Sequence, residues 1–272
     1  KKRYIDYLKA QVTELCTRYG KIHGFWWDAN IAKWHDPSVN AHIRKLQPGI
    51  VINNRGLDPG DYGTPERDWD ESVNTDLVFK HPTEACQALG SQSWGHRAGE
   101  DYYTDAHILR SIAKIMGKGG HYLLNTGPRA DGRIAAEDRR MLRVVGQWFN
   151  AAREAFENVE RVSHMITNRN VLLTRADART YYVILHQVPA TRSIQLKPFV
   201  TIPARATELV TGMVVETRND LLPWDHEHKT GYLRLYNLPQ KLLNENVAIV
   251  KLEFDRPPRR IQPKNMAPDI EP

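Results

Sequence analysis

The first half of the chain alternates two patterns of apolar residues. In one, apolar side chains recur every three to four residues, which predicts amphipathic helices; in the other, short apolar runs predict buried strands. Alternating strands and helices are typical of α/β folds with a parallel sheet. The predicted helices lie at residues 2–19, 37–46, 105–116 and 135 to about 156. The predicted strands lie at 22–27, 50–55, 91–96 and 121–125, with a short element near 84–89 inside a long loop.

Each predicted strand of this half ends in a polar or aromatic residue: Asp28, Arg55, Trp94 and Asn125. In (β/α) barrels, the active site is built at the C-terminal ends of the strands. Four strand–helix units are about half of an eight-unit barrel, which usually needs about 250 residues. The sequence therefore predicts an α/β fold that begins with a partial (β/α) TIM-like barrel over residues 1–158.

After residue 158 the pattern changes to short, β-rich segments separated by turn residues. Such spacing predicts an antiparallel β-sandwich domain over residues 159–258. The Pro- and Arg-rich end, 259–272, is predicted to be a flexible tail. The predicted strands of the sandwich lie at 171–174, 181–185, 193–196, 207–210, 214–218, 232–236 and 247–254.

Composition and charge exclude several classes of function. The chain has 272 residues, of which 41% are hydrophobic, so it can bury a sizeable core. No apolar run approaches the roughly 18 residues of a spanning helix, so no membrane partner is expected. The net charge of +6 is spread among acidic residues, and a nucleic-acid module is only a distant alternative, testable by steep salt dependence.

The cysteines and histidines give no sign of a metal centre. Cys16 and Cys86 lie far apart and match neither a disulfide framework nor a zinc site, so both are interpreted as buried thiols. The histidines show no HxxxH or HExxH spacing. We therefore expect no metal and no cofactor.

Two acidic residues are the candidates for chemistry. Asp28 ends the aromatic run Phe25-Trp26-Trp27, and Glu66 lies in a loop punctuated by glycine and proline. Two carboxylates in unlike settings suit glycoside hydrolysis, which needs one ionised and one protonated carboxyl group. From the residues alone, an Asp in the position of Asp28 is more often a turn former or helix cap than a nucleophile, and Glu66 is still more readily explained as a solvated loop residue.

Several segments, in this order along the chain, resemble the alpha-L-fucosidases of glycoside hydrolase family 29. The resemblance covers residues 4–150 and corresponds to the second half of the family's catalytic barrel, while the β-rich remainder looks like its C-terminal sandwich. The matching segments are Tyr19-Gly20, Trp26-Trp27-Asp28, Asn53-Asn54-Arg55, Thr64-Pro65-Glu66, Glu84-Ala85-Cys86, Ser93-Trp94-Gly95-His96 and residues 119–132.

The resemblance implies a retaining mechanism on terminal α-linked L-fucose. Asp28 matches the nucleophile, which would form a fucosyl-enzyme that water then hydrolyses. Glu66 is the preferred acid/base, which protonates the leaving oxygen and later activates water. Glu84 is the rival for this role, weighed at about half the odds of Glu66 because a loop carboxylate can reach across a site.

Other residues match positions that bind the sugar. Arg55 matches a residue that holds the sugar ring, and a structural ion pair is its equally weighted alternative. Trp26 and Trp94 match aromatic walls around fucose and its methyl group, with core packing as the alternative. Glu84 is kept as a substrate-binding candidate.

The family's fucose pocket also uses residues from early strands that nothing in this chain matches. We therefore expect no activity from these 272 residues alone, and an oligomer or companion chain that supplies the missing half-barrel. The expected partner is a fucosylated oligosaccharide or glycoconjugate. A periplasmic or secreted location fits the family, although the sequence leaves it open. The alternative function is a non-catalytic carbohydrate-binding or scaffold protein.

Overall fold

The computed structural model describes residues 1–30, 33–67, 76–221 and 231–261. All four helices predicted for the first half are present, with ends shifted by a few residues. Helix α3 begins after an N-cap threonine, Thr104, whose Oγ1 accepts the backbone N–H of His107 at 3.2 Å. A short fifth helix was not predicted. The helices are α1 (Lys2–Arg18), α2 (Ser38–Leu46), α3 (Asp105–Gly117), α4 (Ala136–Ala152) and α5 (Gln240–Glu245).

Four short strands of the first half run parallel. Strand β1 (Gly24–Phe25) pairs with β2 (Val51–Ile52), and β3 (Glu84–Ala88) pairs with β4 (His121–Asn125). Isolated parallel bridges from residues 62–66 connect β2 on one side to β3 on the other. Because all these segments run in one direction, their C-terminal ends lie along a single edge.

The predicted strand at 91–96 is wrong, whereas the short element predicted near 84–89 is present as strand β3. Residues 91–96 form a loop whose backbone groups are satisfied by side chains: Glu100 accepts from the N–H of Gln92 at 2.9 Å, and Ser93 from that of Gly95 at 3.1 Å. Local bonds of this kind compete with a sheet ladder. The sequence predicts β3 only as a short element of unspecified type, because its buried residues are small or polar and form no apolar run.

The second half contains two antiparallel sheets, as predicted. One has five strands in the order β5-β6-β7-β12-β9, and the other has three in the order β10-β11-β8. Every strand predicted for this half is present within a few residues, and β5 is additional. The strands are β5 (Glu160–Arg161), β6 (Leu172–Arg175), β7 (Thr180–Ile184), β8 (Ile194–Gln195), β9 (Arg205–Glu208), β10 (Glu216–Asp220), β11 (Tyr232–Tyr236) and β12 (Ile249–Glu253).

The five-stranded sheet is packed on both faces. Val183 and Val250 belong to a core shared with Leu233 of the three-stranded sheet. Ile184 and Ile249 belong to a second core, shared with α3 and α4. The sheet is therefore the central layer of three. The limits at residues 158 and 258 stay predictions, and most of the predicted tail lies outside the described residues.

The parallel strands are covered by helices on one side. Val12 and Cys16 of α1 and Ile43 of α2 form a buried cluster with Ile52 of β2. The mixed α/β class of this half is confirmed. Across the described residues, we find no helix with the length and apolar character required to cross a membrane.

Candidate active site

Asp28 stands on a firmly held backbone at the end of β1. The preceding residue, Trp27, exchanges two hydrogen bonds with the buried Asn53 side chain, at 2.8 and 2.9 Å, and its indole donates to Asn40 at 2.9 Å. Ala29 then turns the chain away with a left-handed φ of 56°. The side chain of Asp28 itself is 73% exposed. The fold thus presents an accessible carboxylate on a rigid support.

Arg55 joins this carboxylate to the second predicted one. Its Nη1 donates to Oδ1 of Asp28 at 3.3 Å and to Oε2 of Glu66 at 2.8 Å. Its Nε donates to Oγ1 of Thr64 at 2.9 Å, and its Nη2 to the Thr64 carbonyl at 3.0 Å and to Sγ of Cys86 at 3.2 Å. Since one nitrogen binds both carboxylate oxygens, those oxygens are at most about 6 Å apart.

The surroundings set the charges of two of these groups. Burial alone would lower the pKa of Arg55, but Cys86, Glu66 and Asp28 raise it above its ordinary value. Burial raises the pKa of the Cys86 thiol, and the nearby Arg55 offsets this only in part. Arg55 is therefore a permanent cation, and Cys86 a neutral thiol at neutral pH.

A cavity of about 420 Å³ opens beside this cluster. Its size falls within the range of small-molecule sites. The indole of Trp26 lies 5.5 Å from the Arg55 guanidinium and forms one wall. Asp28, Arg55 and Glu66 supply the polar part of the lining. The remaining lining residues are Cys86, Trp94, Leu123, Leu124, Asn125 and Thr126.

Trp94 is held in place from behind by a buried cation. The Arg67 guanidinium lies 4.7 Å from the Trp94 ring centroid and donates to Gln87 at 3.1 Å and to the Tyr103 hydroxyl at 3.0 Å. Asn125 donates to the Trp94 carbonyl at 2.7 Å. Trp94 was predicted at the end of a strand. It lines the cavity, but it reaches it from a loop.

The structure brings together five of the six predicted site residues and leaves Glu84 apart. Glu84 is the first residue of β3, at the N-terminal end of a strand whose C-terminal direction leads to the site. It does not line the cavity. Its role and the roles of the five others stay predictions. The residues brought together are Trp26, Asp28, Arg55, Glu66 and Trp94.

Sequence reasoning missed three residues of the site. Cys86 was interpreted only as a buried thiol; it is buried, but it also faces the cavity. Four consecutive residues of β3 are buried, so no alternation along the strand could have revealed this. Thr64 and Arg67 carried no separate signal. In the described ranges there is no group of three or more His, Cys, Asp or Glu residues that could hold a metal.

Most glycoside hydrolases use a pair of carboxylates, and barrel enzymes place their sites at the C-terminal ends of parallel strands, as Asp28 and Glu66 are placed here. Residues 1–154 match the family model for alpha-L-fucosidase. The chain belongs to the alpha-L-fucosidase family.

Curated relatives agree with this family. The chain is 28% identical over 224 residues to a tissue alpha-L-fucosidase of Macaca fascicularis. The aligned region covers 79% of this chain and 44% of the relative. It is 31% identical over 170 residues to the tissue alpha-L-fucosidase of Homo sapiens, and this aligned region covers 60% of this chain and 35% of the relative. The chain therefore spans less than half the length of these two proteins.

Solved structures share the fold. Alpha-L-fucosidase isoenzyme 1 from Paenibacillus thiaminolyticus superposes with a TM-score of 0.69 at 24% identity, over 93% of this chain and 63% of that one. An alpha-L-fucosidase from Vibrio sp. strain EJY3 superposes with a TM-score of 0.72 at 18% identity, over 92% of this chain and 45% of that one. More than nine-tenths of the chain thus has a counterpart in this fold.

Proposed function

We propose that the chain carries the catalytic carboxylates of a retaining alpha-L-fucosidase, which releases terminal α-linked L-fucose from glycans. The observation that carries this proposal is the bridge through Arg55. It keeps the bound oxygens of Asp28 and Glu66 within about 6 Å, and retaining pairs are about 5–5.5 Å apart whereas inverting pairs are about 6.5–9.5 Å apart.

Asp28 is the nucleophile of this proposal. Its carboxylate attacks the anomeric carbon as the bond to the leaving oxygen breaks, which gives a covalent fucosyl-enzyme. Glu66 gives its proton to the leaving oxygen, and then takes a proton from the water that cleaves the fucosyl ester and frees Asp28. In support, a Bacteroides thetaiotaomicron alpha-L-fucosidase that superposes on this chain with a TM-score of 0.67 has been crystallised as a trapped covalent intermediate.

The walls of the cavity suit a deoxy sugar. The indoles of Trp26 and Trp94 can lie against the apolar face of the ring. Leu123 and Leu124 add an apolar lining that fits the methyl group of fucose. Arg55 can donate to a ring hydroxyl by exchanging its 3.3 Å hydrogen bond to Asp28, while Thr64 keeps the rest of its fork of donors in place.

We further propose that the parallel strands are half of a (β/α) barrel that other strands complete. On the side away from the helices, apolar side chains are exposed: Trp26 by 37%, Val51 by 49% and Leu123 by 46%. Large apolar groups on neighbouring strands usually meet a partner layer. The completing strands belong to the same polypeptide or to a companion chain, and they supply the rest of the fucose pocket.

The test is hydrolysis of an aryl α-L-fucoside by the protein at its full length. We expect Asp28→Ala to lose about 10³-fold or more in kcat, as removal of a nucleophile does. Added azide should give a fucosyl azide with the variant only, because azide attacks from the face that the missing carboxylate vacates. Asp101→Ala, on an exposed loop, is the control and should keep full activity.

The other outcomes are equally informative. Normal activity of Asp28→Ala would remove the proposed mechanism. A protein inert on every fucoside would point to a carbohydrate-binding or scaffold role instead. A larger loss for Glu66→Gln than for Glu84→Gln, greatest with poor leaving groups, would assign the acid/base to Glu66.

A further inference from the structure

Every N–H of the Arg55 guanidinium has an acceptor within reach. A guanidinium carries five N–H donors, and five acceptors lie within hydrogen-bond distance of them. Nε donates to Oγ1 of Thr64, and Nη1 donates to Asp28 and to Glu66. Nη2 donates to the Thr64 carbonyl at 3.0 Å and to Sγ of Cys86 at 3.2 Å. Thr64 thus holds one edge of the guanidinium, and Cys86 holds the outer corner of that edge.

The sulfur of Cys86 is itself fixed in place. Cys86 and Glu66 lie side by side in a parallel bridge between neighbouring segments. The Cys86 N–H donates to the Pro65 carbonyl at 3.0 Å. Its Sγ lies 3.8 Å from the same carbonyl, so the thiol proton has an acceptor and the sulfur lone pairs face Arg55. Because Cys86 is 6% exposed and burial raises the pKa of its thiol, the sulfur is a neutral and stationary acceptor.

We propose that Cys86 is a positioning residue of the active site, whose sulfur orients the Arg55 guanidinium so that Nη1 stays between the two carboxylates. The inference rests on the proposed function and adds a residue to it. Sulfur suits this task because it is a weak acceptor. It takes one N–H without drawing the guanidinium away from Asp28 and Glu66. A carboxylate in its place would pair with Arg55 bidentately and would bring a third negative charge beside Glu66.

The orientation of Nη1 matters because this nitrogen binds one oxygen of each carboxylate. Without the sulfur, the guanidinium would be free to tilt about the edge that Thr64 holds. The tilt would shorten one of the two Nη1 bonds, now 2.8 Å to Glu66 and 3.3 Å to Asp28, and lengthen the other. It would misplace the reacting groups and leave the aromatic walls of the cavity unchanged. The loss of the sulfur should therefore appear in kcat rather than in KM.

The test is hydrolysis of an aryl α-L-fucoside by the full-length protein across the pH range of its activity. For Cys86→Ala, kcat should fall about tenfold and KM should change less than about threefold, the lower end for a bond from a charged donor. Cys86→Ser keeps an acceptor and should recover most of this loss. Cys16→Ala is the matched control. Cys16 is also a buried free thiol, but it packs in the core between α1 and β2, so kcat should not change.

Two further variants separate positioning from a purely structural role. Cys86→Asp adds a negative charge beside Glu66. The basic limb of the kcat profile, which reports loss of the protonated acid, should therefore move to higher pH by about one unit. Arg55→Met removes the group through which the sulfur acts, so adding Cys86→Ala to it should cost less than about twofold in kcat. A purely structural thiol would show neither result.

Two results would overturn the inference while the proposed function stands. One is an unmutated protein that cleaves the fucoside while Cys86→Ala keeps the same kcat as Cys16→Ala. The other is a loss of kcat from Cys86→Ala that is equally large with and without Arg55→Met. An unmutated protein that cleaves no fucoside would refute the proposed function, and the inference with it.

Discussion

Replacing Arg67 by methionine should destabilise the chain and loosen the site together. Arg67 is only 5% exposed and has a left-handed φ of 54°. Its Nη1 lies within hydrogen-bond distance of the Gln87 side chain, the Gly90 carbonyl and the Tyr103 hydroxyl, at 3.0 to 3.2 Å. Methionine keeps a stem of similar size and removes the charged donors.

The size of the effect follows from these contacts. One Nη1 carries two hydrogens, so three acceptors compete for them and two bonds are counted. Each bond from a charged donor contributes about 1.5–3 kcal/mol, and the contact with the Trp94 ring about 0.5–1 kcal/mol. Because the bonds share one donor nitrogen and are not additive, we expect a loss near the lower end, about 3.5 kcal/mol.

Urea unfolding followed by tryptophan fluorescence measures this loss. The control is Arg97→Met, since Arg97 lies at the surface and donates to the exposed Gln92 side chain. We expect less than about 0.5 kcal/mol for the control, as for most surface substitutions. Since Arg67 supports Trp94 and directly follows Glu66, kcat/KM for an aryl fucoside should also fall about tenfold. A destabilisation of Arg67→Met no larger than that of the control would refute the reasoning.

Two further predictions concern stability. Arg110→Ala removes hydrogen bonds of 3.1 and 2.7 Å to two carbonyls of α5, so it should cost about 1–3 kcal/mol in urea unfolding. Burial, with Lys118 and Lys114 nearby, lowers the pKa of His186 to about 4. In the unfolded chain the His186 imidazole binds a proton below about pH 6.5, whereas in the folded chain it stays neutral down to about pH 4. The free energy of unfolding is therefore highest above pH 6.5 and falls as the pH is lowered towards 4. His186→Gln removes this group, so the urea midpoint of the variant should fall less between pH 7 and pH 4.5 than that of the unmutated protein. The difference in unfolding free energy is up to about 3 kcal/mol. An equal fall in midpoint for both proteins would contradict this.

The sequence predicts elements best where burial is one-sided or continuous. Helix α3 buries Ile108, Leu109 and Ile112 on one face and shows the helical period clearly. The strands of the two antiparallel sheets carry long β-branched and aromatic side chains. Strand β3 shows neither signal, because Ala85 and Ala88 are too small to form an apolar run. The sequence therefore predicts a short element near residues 84–89 but does not identify it as a strand.

The site shows the same limit. The positions of Asp28 and Arg55 follow from strand ends, which local patterns predict. The approach of Glu66 to Asp28 does not, because it depends on the reach of Arg55 and on bridges between distant segments. The same bridges set Glu84 away from the cavity, which no spacing in the sequence could show.

The hydrogen bonds of Arg55 also bear on its alternative role as a structural ion pair. A structural Arg–carboxylate pair is commonly bidentate, with both oxygens engaged. Among the described residues, Arg55 instead binds a single oxygen of each carboxylate, Oδ1 of Asp28 and Oε2 of Glu66, and the N–H of Ala29 also goes to Oδ1. One oxygen of each carboxylate is thereby fixed and the other remains available for attack or proton transfer. An arginine that orients both groups while leaving their second oxygens available fits a reacting site better than a structural ion pair.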